Sequence, residues 1–328
     1  MPILAHVSVR SVERLSPSFA RIELVGADLA DFGTDGPSFD QRIKLLFPPA
    51  SGVMPDFSAA EWYSEWLALP DDERPRMRTY TIRSLQGEGI EKRLYVDFVL
   101  HPGAHGPGSD WAGAARPGDE ILVVGPKLGE HHGGIEWAPG DASRLLLVGD
   151  ETAVPAIVSI LESLPAEATG TAILEVPVAE DVQEVAAPDG LKVCWLPREG
   201  APVGGPALAE VGSVLGFEAT PEEVTSVEVE DPNLWETPVF SSSGEEVAVL
   251  TNGLVDASMK GSAKGSAKGS AKGSAKGSAT SEDGRYAWIA GESRMVTALR
   301  RHLVNELEMP RKQVAFMGYW REGVSMKG

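Results

Sequence analysis

Four stretches of this 328-residue chain carry residue types whose spacing could do chemistry. The first is Arg78-Thr79-Tyr80-Thr81-Ile82-Arg83, inside a β-rich run. Alternate residues of a strand share a face, so Arg78 and Tyr80 point together and Thr81 points oppositely. A guanidinium, an aromatic ring and a short hydroxyl in that order suit a flavin diphosphate. The cation meets phosphate, the ring lies against the isoalloxazine, and the hydroxyl approaches N5. An ordinary strand with one snorkelling arginine would look the same.

The second stretch runs from Asp97-Phe98-Val99-Leu100-His101 into Gly106-Pro107-Gly108-Ser109-Asp110-Trp111. A strand ends at His101, and the Gly-Pro-Gly turn predicts a short helix with Ser109 as its N-cap. A helix opened by glycine offers free N–H groups and a favourable dipole to phosphate oxygens. The third is Leu147-Val148-Gly149-Asp150-Glu151-Thr152-Ala153-Val154-Pro155, a strand, turn and helix as at a dinucleotide's diphosphate, but without G-x-G-x-x-G. Asp150 and Glu151 would also simply favour a helix start. The fourth joins Tyr286-Ala287-Trp288-Ile289-Ala290-Gly291-Glu292 to Gly318-Tyr319-Trp320-Arg321-Glu322-Gly323. Tyr319 and Trp320 could cover a flavin or serve as core aromatics.

Positioning these residues takes two domains. Up to about residue 138 the chain alternates β-rich runs with Gly, Pro and Asp, which predicts an antiparallel β-barrel. From residue 139 to 328 apolar runs such as RLLLVG alternate with helical patterns, which predicts an α/β domain with a five-stranded parallel sheet. Between about 217 and 283 the texture breaks. Residues 217–256 hold ten acidic side chains and no Lys or Arg, and residues 260–279 are KGSA repeated five times. The repeat reads as a solvated linker and the acidic part as a surface excursion, with an interaction module as the alternative.

A net charge of −19 excludes a nucleic-acid-binding surface. No run of 18 apolar residues spans a bilayer, the start lacks an export signal, and the single Cys194 forms no internal disulfide, so a cytoplasmic, monomeric protein is expected. His131-His132 lacks the acid or cysteine spacing of a metal site, so no resident metal is expected.

Taken together, the RTYT strand, the D-F-V-x-H…G-P-G-S-x-W-A segment, the G-D-E-T-A-V-P loop and the G-Y-W-R-x-G end resemble the siderophore-interacting proteins of the ferredoxin-reductase superfamily. The resemblance covers residues 1–216 and 284–328. It implies an FAD site built from Arg78, Thr79, Tyr80, Thr81, Arg83, Asp97, Val99, His101, Gly108, Ser109 and Trp111. Asp150, Thr152 and Ala153 would lie toward NADH or NADPH. It also implies a ferric siderophore as substrate, with ferredoxin as an alternative donor. Lys44 and Lys127 stand where the family carries basic residues near the cavity, beside Tyr319 and Trp320. A general NAD(P)H:flavin or ferredoxin reductase, or a non-catalytic siderophore-binding flavoprotein, would share this fold.

Overall fold

The computed structural model describes residues 2–100, 106–130, 133–229, 235–237, 240–241 and 284–324. His101, His131, His132 and the KGSA repeat lie outside the described residues.

The N-terminal half is an antiparallel sheet of seven strands: β1 (Ile3–Arg14), β2 (Phe19–Val25), β3 (Arg42–Phe47), β4 (Arg76–Thr81), β5 (Ser84–Gln86), β6 (Arg93–Val99) and β7 (Glu120–Gly125). Their order is β4-β3-β7-β1-β2-β6-β5, so the two edge strands are also neighbours in sequence. Only Ile82 and Arg83 separate them, and a sheet whose edges are joined by two residues must curl on itself. Period-2 alternation sends Val7, Val9, Ile22, Leu24, Ile43, Leu45, Val96, Phe98, Ile121 and Val123 into one core. Helix α1 (Trp62–Ala68) lies in the β3–β4 connection, and α2 (Pro107–Ala114) follows β6.

The C-terminal half contains β8 (Arg144–Gly149), α3 (Val154–Ser163), β9 (Gly170–Val176), β10 (Leu191–Pro197), α4 (Gly205–Leu215), α5 (Glu223–Ser226), β11 (Trp235–Thr237), β12 (Phe240–Ser241), β13 (Arg285–Glu292), α6 (Ser293–Arg300) and β14 (Val314–Trp320). Strands β10-β9-β8-β13-β14 are parallel, and the order of the strands reverses between β8 and β13. Both faces of the sheet are covered. Leu145, Leu147, Trp288 and Ala290 pack with α3, while Leu146, Val148, Ala287 and Ile289 pack with α4 and α6. That double burial is why β8 reads as a continuous apolar run.

The sheet differs from the expected five parallel strands, because β11 adds antiparallel to β14 and β12 follows it, making seven. The described part of the acidic segment is therefore no solvated excursion. Phe217 stacks on His302 at 4.5 Å, Val224 and Val227 are buried in the core, and Glu236 takes two hydrogen bonds from Arg300 at 2.5 and 3.2 Å. Composition misled because the basic partners of these acids, Arg300 and Arg311, arrive from far along the chain.

Polar contacts, buried around Asp40, fasten the two halves. Asp40, just before β3, accepts from Trp288 Nε1 at 3.0 Å and from the backbone N–H of Glu136 and Trp137. Burial pushes its carboxyl up to about 6, against those hydrogen bonds. Asp181 accepts from Ser16 Oγ and the Ser18 N–H at 2.6 and 2.9 Å, and both Nη atoms of Arg83 reach Glu162 on α3 at 2.7 Å.

Because Phe217 seats the start of the acidic segment on His302, Phe217→Ala should destabilise the chain by about 2 kcal/mol, less than a fully buried phenylalanine loses. A denaturant midpoint shifted accordingly is the expected result, and an unchanged midpoint would restore the excursion reading.

Candidate functional site

Strand β4 places Arg78 and Tyr80 on one face and Thr79 and Thr81 on the other. Arg78 is half-buried. Its Nη1 donates to the Met77 carbonyl at 2.7 Å, and no carboxylate among the described residues pairs with it. Burial holds its guanidinium below the usual arginine value, as expected of a cation lacking a counter-ion. Tyr80 packs against Phe98 at 4.5 Å and Phe47 at 6.2 Å, and burial raises its phenol well above the ordinary range.

Helix α2 meets this strand through Gly108. A Cβ at Gly108 would lie 2.0 Å from Tyr80 Oη, so only glycine lets the helix start sit against the ring. Trp111, one turn on, completes the aromatic cluster at 5.3 Å from Phe47 and 5.7 Å from Phe98. The cap differs from the expectation: Gly106 is the N-cap and Pro107 begins the helix, so Ser109 lies inside the first turn. Proline suits the first helical position because its fixed φ matches the helix and an N–H there is unpaired anyway. The N-cap is a glycine and brings no side chain to this helix start. The backbone N–H groups that follow Pro107 and the Arg78 guanidinium thus flank the Tyr80 ring, an arrangement that accepts an aromatic ring carrying a diphosphate.

Other expected residues are placed differently. Asp97 is buried and takes both donors of Arg21 across the β2–β6 pair at 2.7 and 2.8 Å, with Arg83 at 3.6 Å. Arg83 is committed to Glu162. Arg83 thus ties Asp97 in the barrel to Glu162 on α3, and its charge is already met by two carboxylates. Val99 packs into the α/β core. Lys44 donates to Thr79 Oγ1 at 2.6 Å, and desolvation, then Arg42, holds its ammonium below the usual lysine value. Lys127 instead pairs with Glu130 at 3.3 Å, with no described contact to the RTYT strand.

Between the halves lies a stack missed by sequence reasoning. The Arg42 guanidinium sits 4.3 Å above the Trp235 ring, and Trp235 stacks on Tyr319 with centroids 6.0 Å apart. Arg42 also pairs with Glu136. Gln41 Oε1, Arg42 Nε and Tyr319 Oη are buried without hydrogen-bond partners among the described residues. Such groups are uncommon in a finished core and mark a place where a polar ligand can be received. The i, i+2 spacing of Arg42 and Lys44 on β3 was the legible signal; Trp235 joins only through the fold.

Trp320 does not face this stack freely, because its Nε1 donates to Asp150 at 2.8 Å. Asp150 also accepts from Thr152 N and Oγ1 and from the Glu292 N–H. Burial, then the neighbouring Glu151, drives its carboxyl well above the usual range. Ala153 packs on Gly149, where a Cβ would lie 2.5 Å from the alanine methyl, so glycine lets α3 close on β8.

Residues 142–323 match the siderophore-interacting protein family, and residues 8–130 match the siderophore-interacting FAD-binding domain. An uncharacterized protein of Mycobacterium tuberculosis is 35% identical over 58% of this chain, and the match spans 64% of that protein. Ferric vibriobactin reductase of Vibrio cholerae is 27% identical over 94% of this chain and 86% of its own length. NADPH-dependent ferric-chelate reductase of Escherichia coli is 33% identical over 59% of this chain and 71% of its own. The crystal structure of a siderophore utilization protein from T. fusca superposes with a TM-score of 0.62 at 27% identity, covering 98% of this chain and 94% of that one. The chain belongs to the siderophore-interacting protein family and carries that family's FAD-binding domain.

Proposed function

We propose that this protein is an FAD-dependent reductase of ferric siderophores that releases Fe(II) for use in the cytoplasm, working as a monomer with NADH or NADPH, or alternatively ferredoxin, as donor. The observation that carries the reading is the cradle of Arg78, Tyr80 and Gly108: a half-buried cation with no carboxylate partner among the described residues, an aromatic face and a glycine-opened helix start, in a domain of an FAD-binding family. The names of the Vibrio and Escherichia relatives support the ferric substrate. Among the described residues no helix is long and apolar enough to cross a membrane, and no cluster of His, Cys, Asp and Glu could hold a metal ion. The protein would thus act on iron held by the chelate.

In this reading Arg78 and the N–H groups of Gly108 and Ser109 neutralise the FAD diphosphate, and Tyr80 holds the ring system. Thr81, buried on the opposite face of β4, and Thr79 bear on the flavin's polar edge. When bound, FAD accepts an electron pair and gives electrons up singly. One NAD(P)H and two Fe(III) become NAD(P)+, one proton and two Fe(II). Fe(II) holds hard oxygen ligands less tightly, so the chelate lets it go. Arg42 and Lys44, adjacent on one face of β3, offer positive charge to an anionic chelate against a net charge of −19. Lys127, paired with Glu130, would act only if that exposed pair opens.

Arg78→Ala should weaken FAD by roughly 1.5–3 kcal/mol, about tenfold or more, and abolish Fe(II) release from a ferric siderophore. Fe(II) trapped by a chromogenic chelator and flavin released on denaturation measure both effects. Full flavin content in that variant would refute the cradle assignment.

Gly108→Ala should also lower flavin content, since the methyl meets Tyr80 Oη. Adding Tyr80→Phe should restore part of it by removing the nearest atom. Unchanged flavin in Gly108→Ala would show that the helix start does not need its contact with the ring.

A further inference from the structure

A parallel sheet of this order receives a dinucleotide diphosphate at its carboxyl edge, on unpaired N–H groups beside the reversal between β8 and β13. Here the protein's own carboxylates line that edge, and they take the N–H groups that open two of its helices, α4 and α6. Asp150 closes the β8–α3 turn, accepting from Thr152 N at 2.9 Å, Thr152 Oγ1 at 2.5 Å, the Glu292 N–H at 2.6 Å and Trp320 Nε1 at 2.8 Å. Glu175, at the end of β9, accepts from the Gly204 and Ala207 N–H groups that open α4, at 2.7 and 3.1 Å. Glu292 caps α6, accepting from the N–H groups of Arg294 and Met295.

The remaining space holds charge as well. Glu151, fully buried, takes both Nη atoms of Arg198 at 2.6 and 2.7 Å, and Arg198 also lies 3.5 Å from Glu175. Asp150, Glu151, Glu175 and Glu292 are all buried, and Arg198 is the guanidinium set among three of them. Gly291 has φ +141°, and a Cβ there would lie 2.6 Å from Asp150 Oδ2, so strand β13 also presses on this carboxylate. An incoming diphosphate would meet the negative ends of these groups, with the starts of α4 and α6 already neutralised and Asp150 and Glu151 standing in the turn just before α3.

We infer that this α/β domain gives no seat to the diphosphate and adenylate half of a nicotinamide dinucleotide, so that donors are recognised only through the reduced nicotinamide–ribose end. This rests on the reductase reading above and defines its donor specificity. NADH, NADPH and reduced nicotinamide mononucleotide, which lacks the adenylate, become equivalent donors, since what distinguishes them lies outside the recognised part. The hydride leaves the dihydronicotinamide as an electron pair with its proton in each case, so the balance with two Fe(III) is the same.

The test uses the FAD-loaded protein. Isothermal titration with ADP-ribose and with 2′-phospho-ADP-ribose should give no saturable binding at millimolar ligand. The kcat/KM values for flavin reduction by the three donors should agree within about threefold. Saturable micromolar binding of either adenylate fragment overturns the inference. So does a preference of about thirtyfold or more for NADH or NADPH over the mononucleotide. A separate arm reduces the flavin with dithionite and adds a ferric siderophore. If no Fe(II) forms there, the reductase reading fails, while the fragment titration still decides the donor site on its own.

Discussion

The seating of the barrel against the second sheet depends on one buried carboxylate. Asp40 leaves the barrel side just before β3, and its oxygens collect two backbone N–H groups of the interdomain connection and the indole N–H of Trp288 on β13. A charge in that setting is expensive, and the rise of its pKa to about 6 reflects that cost. The three donors offset it, and together they set the first residues of β3 against the second sheet. Arg42 follows two residues later and lies over Trp235, which stacks in turn on Tyr319.

Part of the chain's acidity is internal structure. Asp97 and Arg21 bond across adjacent barrel strands, Arg83 spans from Asp97 to Glu162, and Glu236 receives Arg300 at the outer edge of the second sheet. Arg78 and Lys44, two cations with no carboxylate partner among the described residues, lie on neighbouring strands at a register separation of a single residue: Lys44 opposes Thr79 and Leu45 opposes Arg78. Buried charge is tolerated where it is paired, so unpaired charge beside a glycine-opened helix points to an external anion. The flavin diphosphate and an anionic chelate are the two anions the proposed function brings there.

The barrel and the parallel sheet were legible because their periods are local: alternation in β1 to β7 and continuous apolar runs in β8, β9 and β13. The RTYT strand and the Gly-Pro-Gly helix start were legible for the same reason, although the cap fell on Gly106 rather than Ser109. What escaped depends on partners distant in sequence. Arg83 has the chemistry of a phosphate ligand and Asp97 that of an acceptor for a cofactor's N–H or O–H, and nothing local reveals that Glu162 and Arg21 claim them. Trp235 sits in a run of acids and joins the sheet because β14 has an edge to pair. Glu151 reads as a helix-start residue, while its partner Arg198 lies two strands away.

The central claim is that this chain passes electrons from its flavin to chelated ferric iron, and a single-turnover stoichiometry tests it most directly. The FAD-loaded protein is reduced anaerobically, freed of excess reductant, and mixed with a ferric siderophore in the presence of an Fe(II) trap. The account predicts complete reoxidation of the flavin with two Fe(II) trapped for each FAD. A flavin that stays reduced while the siderophore binds, or reoxidation without Fe(II), would contradict it.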